Sequence, residues 1–210
     1  MSQWNKFPGS YIGFNRVSAS DGASGVWNLK QVYTENTNYE WINQSIYYNP
    51  CDSMTGWSNN GVYSSNGNFY VGGNSYCYIE PIAGQNLLYS TLLFDVYIPT
   101  NSAVAVNFMC ATTGQGPYLK FDTRAGKYTG VSYSRGWTQV GGELTSGPVT
   151  PVNTWFNVRI RMYNSARIDW FTENQYRDFQ PVLNNGTNIG FWGYGLGGYI
   201  DNVTIKRGII

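Results

Sequence analysis

The stretch that decides the fold class reads Asn153-Thr154-Trp155-Phe156-Asn157-Val158-Arg159-Ile160-Arg161-Met162. From residue 156 onward its apolar side chains share one parity, and its Asn and Arg side chains share the other. Successive side chains of a β-strand point to opposite faces of the sheet. This alternation therefore predicts a strand with one buried face and one solvated face.

Similar patterns occur along much of the chain. The longest runs over 88–98, where Asp95 and Tyr97 face away from the apolar side. Asn66-Gly67 separates two short candidates and is a strong hairpin signal. Roughly eleven or twelve candidate strands follow at short intervals, which is typical of an all-β domain. We expect four residues of the apolar faces to lie in the core: Phe94, Val96, Val158 and Ile160.

The order of elements in the C-terminal half resembles a known fold. Trp155 opens a long amphipathic strand, a hairpin follows, and a strand rich in Gly and aromatic residues precedes the last strand with Ile200-Asp201-Asn202-Val203. This order is similar to the C-terminal half of a concanavalin A-like jelly roll, the lectin/glucanase superfamily. The resemblance implies an all-β jelly-roll β-sandwich over residues 51–210. It implies no activity, because the fold hosts lectins, hydrolases, lyases and adhesion modules.

The composition fits strands and recognition surfaces better than helices. Aromatic residues make up 17% of the chain, with 18 Tyr and 8 Trp, and charged residues make up only 12%. The net charge of +1 gives no broad basic field, so nucleic acid is not an expected partner. No apolar run approaches the ~18 residues of a membrane span, and the first residues do not have the pattern of a signal peptide.

The acidic residues and the absence of His argue against catalysis. Without His, the chain has no Ser–His or Cys–His nucleophile pair and no His-ligated zinc. Hydrolytic members of the resembled superfamily carry Glu-x-Asp-x-(x)-Glu on one strand, and no Glu of this chain lies in that motif. The nearest acidic pair, Asp169 and Glu173, is expected in an exposed hairpin. We predict a protein that is not an enzyme and needs no cofactor; a glycan hydrolase or lyase on the same fold is the alternative.

Two residues, one thiol and one carboxylate, are predicted to point into the interior of the sandwich. Cys110 shares the parity of Val104 and Phe108, so we expect a buried core thiol. Asp201 shares the parity of Val203, so we expect it to point inward and to accept backbone N–H bonds. A calcium ligand is the alternative role for Asp201. No Asp-x-Asp-x-Asp loop is present, and no metal site is predicted.

Four aromatic residues stand in Gly-rich, polar surroundings: Tyr133, Trp137, Trp192 and Tyr194. Exposed aromatic faces stack on the C–H faces of sugars, and nearby Asn, Gln and Arg side chains bond hydroxyl groups. These four residues are therefore the predicted glycan-binding site. Packing in the sandwich is the alternative role for each of them.

The region before residue 51 is predicted to be an arm with one short helix. Val26, Leu29 and Tyr33 fall at i, i+3 and i+7, the spacing of one helical face, and Trp27 adds an apolar group on another side. A helix of about two turns is marginal by itself. Apolar groups that one sandwich cannot cover mark an interface, so we assign residues 1–50 to attachment and assembly.

Part of this arm carries a second resemblance. The run Ala23-Ser24-Gly25-Val26-Trp27-Asn28-Leu29, with Val32-Tyr33 and Trp41 after it, is similar to a short segment of tailed-bacteriophage virion proteins. The resemblance implies a non-enzymatic virion surface protein, either a tail fibre or a capsid decoration, assembled in the host cytoplasm. Its partners would be other virion proteins, further copies of itself in a homo-oligomer, and host-surface glycan. A secreted carbohydrate-binding module is the remaining alternative.

Overall fold

The computed structural model describes residues 11–12, 27–28, 45–84, 87–124, 130–146, 149–164, 167–172, 175–179 and 186–207. The chain divides into two compact units, Met1–Gln44 and Ser45–Ile210. The larger unit thus begins at Ser45, whereas the sequence predicts a boundary at residue 51.

The regular structure of the described residues consists of β-strands. The first eight are β1 (Tyr11–Ile12), β2 (Trp27–Asn28), β3 (Ser45–Asn49), β4 (Ser58–Asn60), β5 (Tyr63–Ser65), β6 (Asn68–Val71), β7 (Tyr76–Ile79) and β8 (Ser90–Tyr97). The later ones are β9 (Ser102–Cys110), β10 (Gly116–Asp122), β11 (Gly130–Ser134), β12 (Gln139–Ser146), β13 (Trp155–Asn164), β14 (Arg167–Thr172), β15 (Gln175–Phe179), β16 (Asn188–Gly195) and β17 (Gly198–Arg207). Among these residues no helix has the length and apolar character needed to cross a membrane.

Where the structure describes the smaller unit, it has strands and not the predicted helix. Trp27–Asn28 forms β2 and pairs antiparallel with β1, with Trp27 opposite Ile12. A two-turn helix gains little from its own hydrogen bonds, and Trp, Val and Tyr favour extended backbone. The placement of Trp27 in a helix is therefore wrong. The other predicted assembly residues lie outside the described residues: Val26, Leu29 and Tyr33.

Two antiparallel sheets form the larger unit. The seven-stranded sheet has the order β12–β11–β10–β9–β16–β7–β4. The eight-stranded sheet has the order β15–β14–β13–β8–β17–β6–β5, with β3 also paired to β17. β17 bonds β8 along one side, and β6 and then β3 along the other. The long strand predicted from residue 155 onward is β13, and it pairs with β8 so that Val158 faces Phe94.

The apolar faces of the two sheets meet in one core. The rings of Phe94 and Phe191 have centroids 5.3 Å apart, and those of Phe121 and Phe156 are 5.4 Å apart, so both pairs join one sheet to the other. Burying one such side chain contributes about 1.5–3 kcal/mol. The four predicted core residues are confirmed as buried: Phe94, Val96, Val158 and Ile160.

A bulge in β17 reverses the expected orientation of Asp201. The four residues from Asp201 to Thr204 lie opposite only three residues of β8, Asp95 to Leu93, and Asn202 has a φ of 52°. Asn tolerates this left-handed conformation better than most residues. The extra residue places Asp201 on the outer face, partly exposed, while Val203 points into the core. The expectation that Asp201 points inward is therefore wrong.

A second irregularity, in β9, has the same effect on Cys110. Met109 has a φ of 53°, and the register with β16 shifts beside it. Cys110 is fully buried, as predicted, but it packs on the opposite side of the sheet with Ala105 and Tyr118. Burial raises the pKa of its thiol to about 12, which keeps it protonated and unreactive.

Candidate functional site

Trp137, one of the predicted glycan-binding residues, lies against the outer face of the seven-stranded sheet and is 8% exposed. Its indole is nearly parallel to the rings of Tyr76 and Tyr78, at centroid distances of 5.1 and 5.3 Å. Gly190 lies directly beside the indole, and a Cβ added at this position would come within 2.4 Å of the ring. So packed, Trp137 presents almost no ring surface to a ligand, and this arrangement does not support a stacking role.

Trp192 belongs to the same cluster and is 1% exposed. Its indole N–H donates a hydrogen bond to Oδ1 of Asn107, and its ring packs edge-on against Tyr118 and Tyr194 at 5.2 and 4.8 Å. A buried Trp normally finds such a partner for its N–H. Trp192 therefore packs the outside of the sheet and offers no exposed face.

The other two predicted residues lie in the same sheet. Tyr194 is partly buried, and the guanidinium of Arg124 lies 5.5 Å from its ring centroid. The backbone of Tyr133 pairs with Pro117 of β10. The structure thus brings Trp137, Trp192 and Tyr194 together, but as a packed cluster.

A row of five aromatic side chains crosses the outer face of the eight-stranded sheet: Tyr63, Tyr70, Tyr199, Tyr97 and Trp155. Each is the register partner of the next, on β5, β6, β17, β8 and β13 respectively. Successive ring centroids are 5.2, 5.2, 6.0 and 5.7 Å apart, with planes inclined by 47° to 65°. The ends of this aromatic row are open to solvent, since Tyr63 is 54% and Trp155 44% exposed.

A polar row runs beside the aromatic row, two residues further into the sheet. It consists of Asn68, Asp201, Asp95 and Asn157, on β6, β17, β8 and β13. Where the two rows meet, a cleft of about 250 Å³ is lined by Asn68, Asp95, Trp155 and Asp201. The cleft therefore combines one exposed indole with two carboxylates and one amide.

Asn202, the bulge residue, holds the two carboxylates in place. Its side-chain amide donates to Asp95 Oδ2 at 2.9 Å and to Asp201 Oδ2 at 3.2 Å, and its backbone N–H donates to Asp201 Oδ1 at 2.7 Å. Asn157 donates to the other oxygen of Asp95. The Tyr48 hydroxyl donates to the amide oxygen of Asn202 at 3.3 Å. A carboxylate offers about four lone-pair positions, so Asp95 keeps acceptor capacity for a ligand.

The cleft is negatively charged. Asp201 and Asp95 are register partners, and like charges directly opposite each other are unfavourable. Burial raises the pKa of Asp201, the hydrogen bond from the Asn202 backbone lowers it, and the charges of Asp95 and Asp52 raise it again, with a net rise. Acceptor groups of this kind suit hydroxyl donors and disfavour anions.

The turn before β13 positions Trp155. Asn153 has a φ of 55°, and its backbone N–H donates to the Ile98 carbonyl at 2.9 Å. Its side chain exchanges two hydrogen bonds with Thr100, at 3.1 and 3.3 Å. These bonds tie the start of β13 to the residues after β8, which places Trp155 beside Tyr97.

A tight loop borders the middle of the aromatic row. The Tyr70 hydroxyl donates to the Leu196 carbonyl at 2.8 Å, which fixes the Tyr70 ring. Gly197 has a φ of 72°, and a Cβ there would lie 1.9 Å from the Val71 carbonyl oxygen. Only glycine allows so close an approach with this backbone conformation, so the loop is held firmly against β6.

The described part of the chain contains no group of three or more Asp, Glu or Cys side chains able to hold a metal ion. Of the acidic pair weighed for catalysis, Asp169 lies on β14, opposite Arg161 of β13, and Glu173 falls outside the described residues. The cleft on the eight-stranded sheet is thus the strongest candidate site that the structure describes.

Of the comparisons with known proteins, only the comparison with solved structures gives matches, and these support the fold. No family model and no curated protein matches the chain. A Bacillus subtilis protein of unknown function with a galectin-like fold is 10% identical, with a TM-score of 0.58 over 80% of this chain and 98% of that one. Carbohydrate-binding module CBM66 from Bacillus subtilis is 15% identical, with a TM-score of 0.54 over 72% of this chain and 96% of that one.

A third similar structure is domain 4 of AbnA, a GH43 extracellular arabinanase from Geobacillus stearothermophilus, in complex with arabinotriose. It is 10% identical, with a TM-score of 0.53 over 80% of this chain and 95% of that domain. At these identities the likeness establishes the fold only. The larger unit is a lectin-like jelly-roll β-sandwich, which confirms the fold class predicted from the sequence.

The sequence alone does not reveal the cleft. The outward parity of Asp95 and Tyr97 was visible, because both lie on one strand. Their neighbours in the site, Asn68 and Trp155, are distant in sequence and meet them only through the register of the sheet. Asp201 was further hidden by the bulge that follows it.

Proposed function

We propose that the larger unit is a non-enzymatic carbohydrate-binding domain that binds an uncharged sugar unit in the cleft of the eight-stranded sheet. The observation that carries the proposal is the exposed indole of Trp155 beside Asp95, Asp201 and Asn68. An exposed ring beside fixed hydrogen-bonding groups is the arrangement that sugars require, because each sugar has both C–H faces and hydroxyl edges.

Each lining group has a definite part in this binding. The face of Trp155 stacks on the C–H face of the sugar and removes apolar surface of both from water. The carboxylates of Asp95 and Asp201 accept bonds from hydroxyl groups, and such charge-assisted bonds are about twice as strong as neutral ones. The amide of Asn68 can both donate and accept. The site is preorganised, because Asn202 already holds both carboxylates.

The similar structures support binding as the function. Two of them are described as a carbohydrate-binding module and as a domain in complex with arabinotriose, and this chain spans 96% and 95% of their lengths. A binding role also agrees with the scattered positions of Glu and the lack of His in the sequence.

A glycan hydrolase is the second candidate, and one observation favours it. Asp201 has a raised pKa and faces Asp95 in the cleft, and glycosidases use two carboxyl groups of which one has a raised pKa. Release of reducing ends from a bound glycan, lost in both Asp95→Asn and Asp201→Asn, would establish this alternative. We expect no release, because Asn157 and Asn202 already engage the carboxylates.

Binding is tested on a glycan array that holds neutral, amino and acidic sugars, followed by calorimetry with the strongest hit. We expect Trp155→Ala to weaken binding more than tenfold, about 1.4 kcal/mol, and Trp155→Phe to retain most of it because the ring remains. Tyr89→Ala is the matched control, since Tyr89 is 60% exposed and lies outside the aromatic row. Absence of any bound glycan, or equal binding by Trp155→Ala, would refute the proposal.

We also propose that this domain is part of a virion. In this proposal the smaller unit is the segment through which the chain assembles into a homo-oligomer. The support is the phage-like segment at residues 23–41, of which the structure describes Trp27 and Asn28. A mass-spectrometric search of purified phage particles tests the location. Loss of the chain from particles after deletion of Met1–Gln44 tests the assembly role.

A further inference from the structure

We infer that the aromatic row extends the cleft across the sheet, so that the ligand is an extended glycan chain lying across the strands from Trp155 to Tyr63. This inference rests on the proposed carbohydrate binding and adds the length and direction of the ligand. The row is continuous, because each of its five rings contacts the next.

The spacing of the rings fits a chain of sugar units. Successive centroids lie 5.2 to 6.0 Å apart, comparable to the length of one unit in an extended glycan. Neighbouring strands are about 4.8 Å apart, so five strands present a row of roughly 20 Å. The row therefore accommodates about four units, with the first one against Trp155.

The tilt of the rings indicates a single soluble chain. Adjacent planes are inclined by 47° to 65°, so the rings do not form the flat platform that a crystalline polysaccharide surface would require. In a soluble chain each unit can rotate relative to the previous one and can meet a tilted ring. Tyr63 and Trp155 offer the largest open surfaces, so the contacts at the two ends should contribute most.

The polar row favours a glycan over a protein as the occupant. Asp95 and Asp201 lie beside Tyr97 and Tyr199 in the middle of the aromatic row, and a protein interface would have to desolvate both carboxylates. Glycan hydroxyls would replace the lost water bonds along the whole polar row, Asn68 and Asn157 included. A second copy of this chain would bring the same two negative charges against them.

The test is a length series. Glucose, xylose and arabinose oligosaccharides from the monosaccharide to the hexasaccharide are titrated against wild type, Tyr63→Ala and Trp155→Ala. We expect Tyr63→Ala to weaken hexasaccharide binding roughly tenfold and disaccharide binding less than about twofold, since only the longer chain reaches that ring. Tyr63→Phe should keep the wild-type length dependence. Tyr89→Ala controls for loss of an exposed tyrosine outside the aromatic row, because Tyr89 directly precedes β8, at the end of that strand away from Tyr97.

Each outcome decides the inference. If Trp155→Ala abolishes binding at every length and Tyr63→Ala has no length-dependent effect, the ligand stays in the cleft, and only the extended site is overturned. If Tyr63→Ala abolishes a self-association of the wild type seen by sedimentation and leaves hexasaccharide affinity unchanged, the row is a protein interface. If wild type binds none of the array glycans and none of the series, the extended site and the proposed function both fall.

Discussion

Replacing Trp137 by Ala tests whether this side chain packs against the seven-stranded sheet or contacts a ligand. The indole is 8% exposed and stacks on two tyrosine rings at 5.1 and 5.3 Å. Truncating a buried Trp to Ala costs about 3–5 kcal/mol, and poor collapse of the cavity pushes the value upward. Here Gly114 and Gly190 line the indole and have no side chains to fill the space. We therefore expect a loss of about 4–5 kcal/mol.

The assay measures stability and binding on the same samples. For a domain of this size 1 kcal/mol corresponds to about 2–4 °C, so Trp137→Ala should lower the Tm by roughly 8–20 °C. Affinity for the array glycan at low temperature should stay within about twofold of wild type. Trp155→Ala should show the reverse, a stability loss of about 1 kcal/mol or less with lost binding, because Trp155 is 44% exposed.

One result would refute this reasoning. If Trp137→Ala keeps its Tm and loses the glycan, the indole is a ligand contact and the role predicted for it from the sequence is right. Should Trp137→Ala fail to fold, Trp137→Phe keeps a ring between the tyrosines. That variant should lose about 1–2 kcal/mol and bind normally.

Three further outcomes are expected. Ile160→Ala should cost about 2–5 kcal/mol in urea unfolding, because Ile160 is fully buried in the core, and a loss below ~0.5 kcal/mol would contradict its assignment. Asp201→Asn should have a larger free energy of unfolding than wild type at neutral pH. The pKa of Asp201 is raised in the folded state, so wild type loses stability as the pH rises from the ordinary Asp value of ~3.9 through the raised value. This advantage should vanish at lower pH, and a constant difference in unfolding free energy would show that the carboxyl charge is not its cause. The double variant Asp95→Asn, Asp201→Asn should gain affinity for uronic-acid oligosaccharides relative to neutral ones, and an unchanged ratio on the array would contradict charge-based selection.

The sequence predicts the sandwich well because the alternation within one strand is a local property. β8 and β13 appear in the sequence as strands with one apolar face, and their apolar residues are buried against the opposite sheet. The Asn66-Gly67 turn also agrees with the structure, since both residues have positive φ values, 52° and 78°. Such features need no knowledge of which strand lies beside which.

Parity fails where a bulge adds a residue. The positive φ values of Asn202 and Met109 occur inside strands. Met109 leaves the apolar run of β9 uninterrupted, whereas the bulge at Asn202 shows in the sequence only as the three-residue spacing from Ile200 to Val203. The side chains of Asp201 and Cys110 therefore lie on the faces opposite to those expected. In β17 the bulge also creates the site, because it turns the backbone N–H and the amide of Asn202 toward the carboxylates.

Neighbouring strands also decide whether an aromatic residue beside glycine is exposed, and the sequence does not show them. For this reason the sequence predicts glycan binding on the seven-stranded sheet. Glycine near Trp137 and Trp192 suggests open surroundings in the sequence, but in the structure these glycines are sites of close approach. A Cβ at Gly190 would meet the Trp137 indole, and one at Gly193 would lie 2.5 Å from the Gly72 carbonyl oxygen. An aromatic residue beside glycine in a strand can thus mark a face on which another segment packs. On the eight-stranded sheet, the same-face neighbours of Tyr97 and Trp155 are Asp and Asn, whose polar groups remain hydrated or bound to one another. That combination, an aromatic residue two positions from Asp or Asn on the outward face of a strand, is the pattern that leaves the Trp155 ring exposed to solvent.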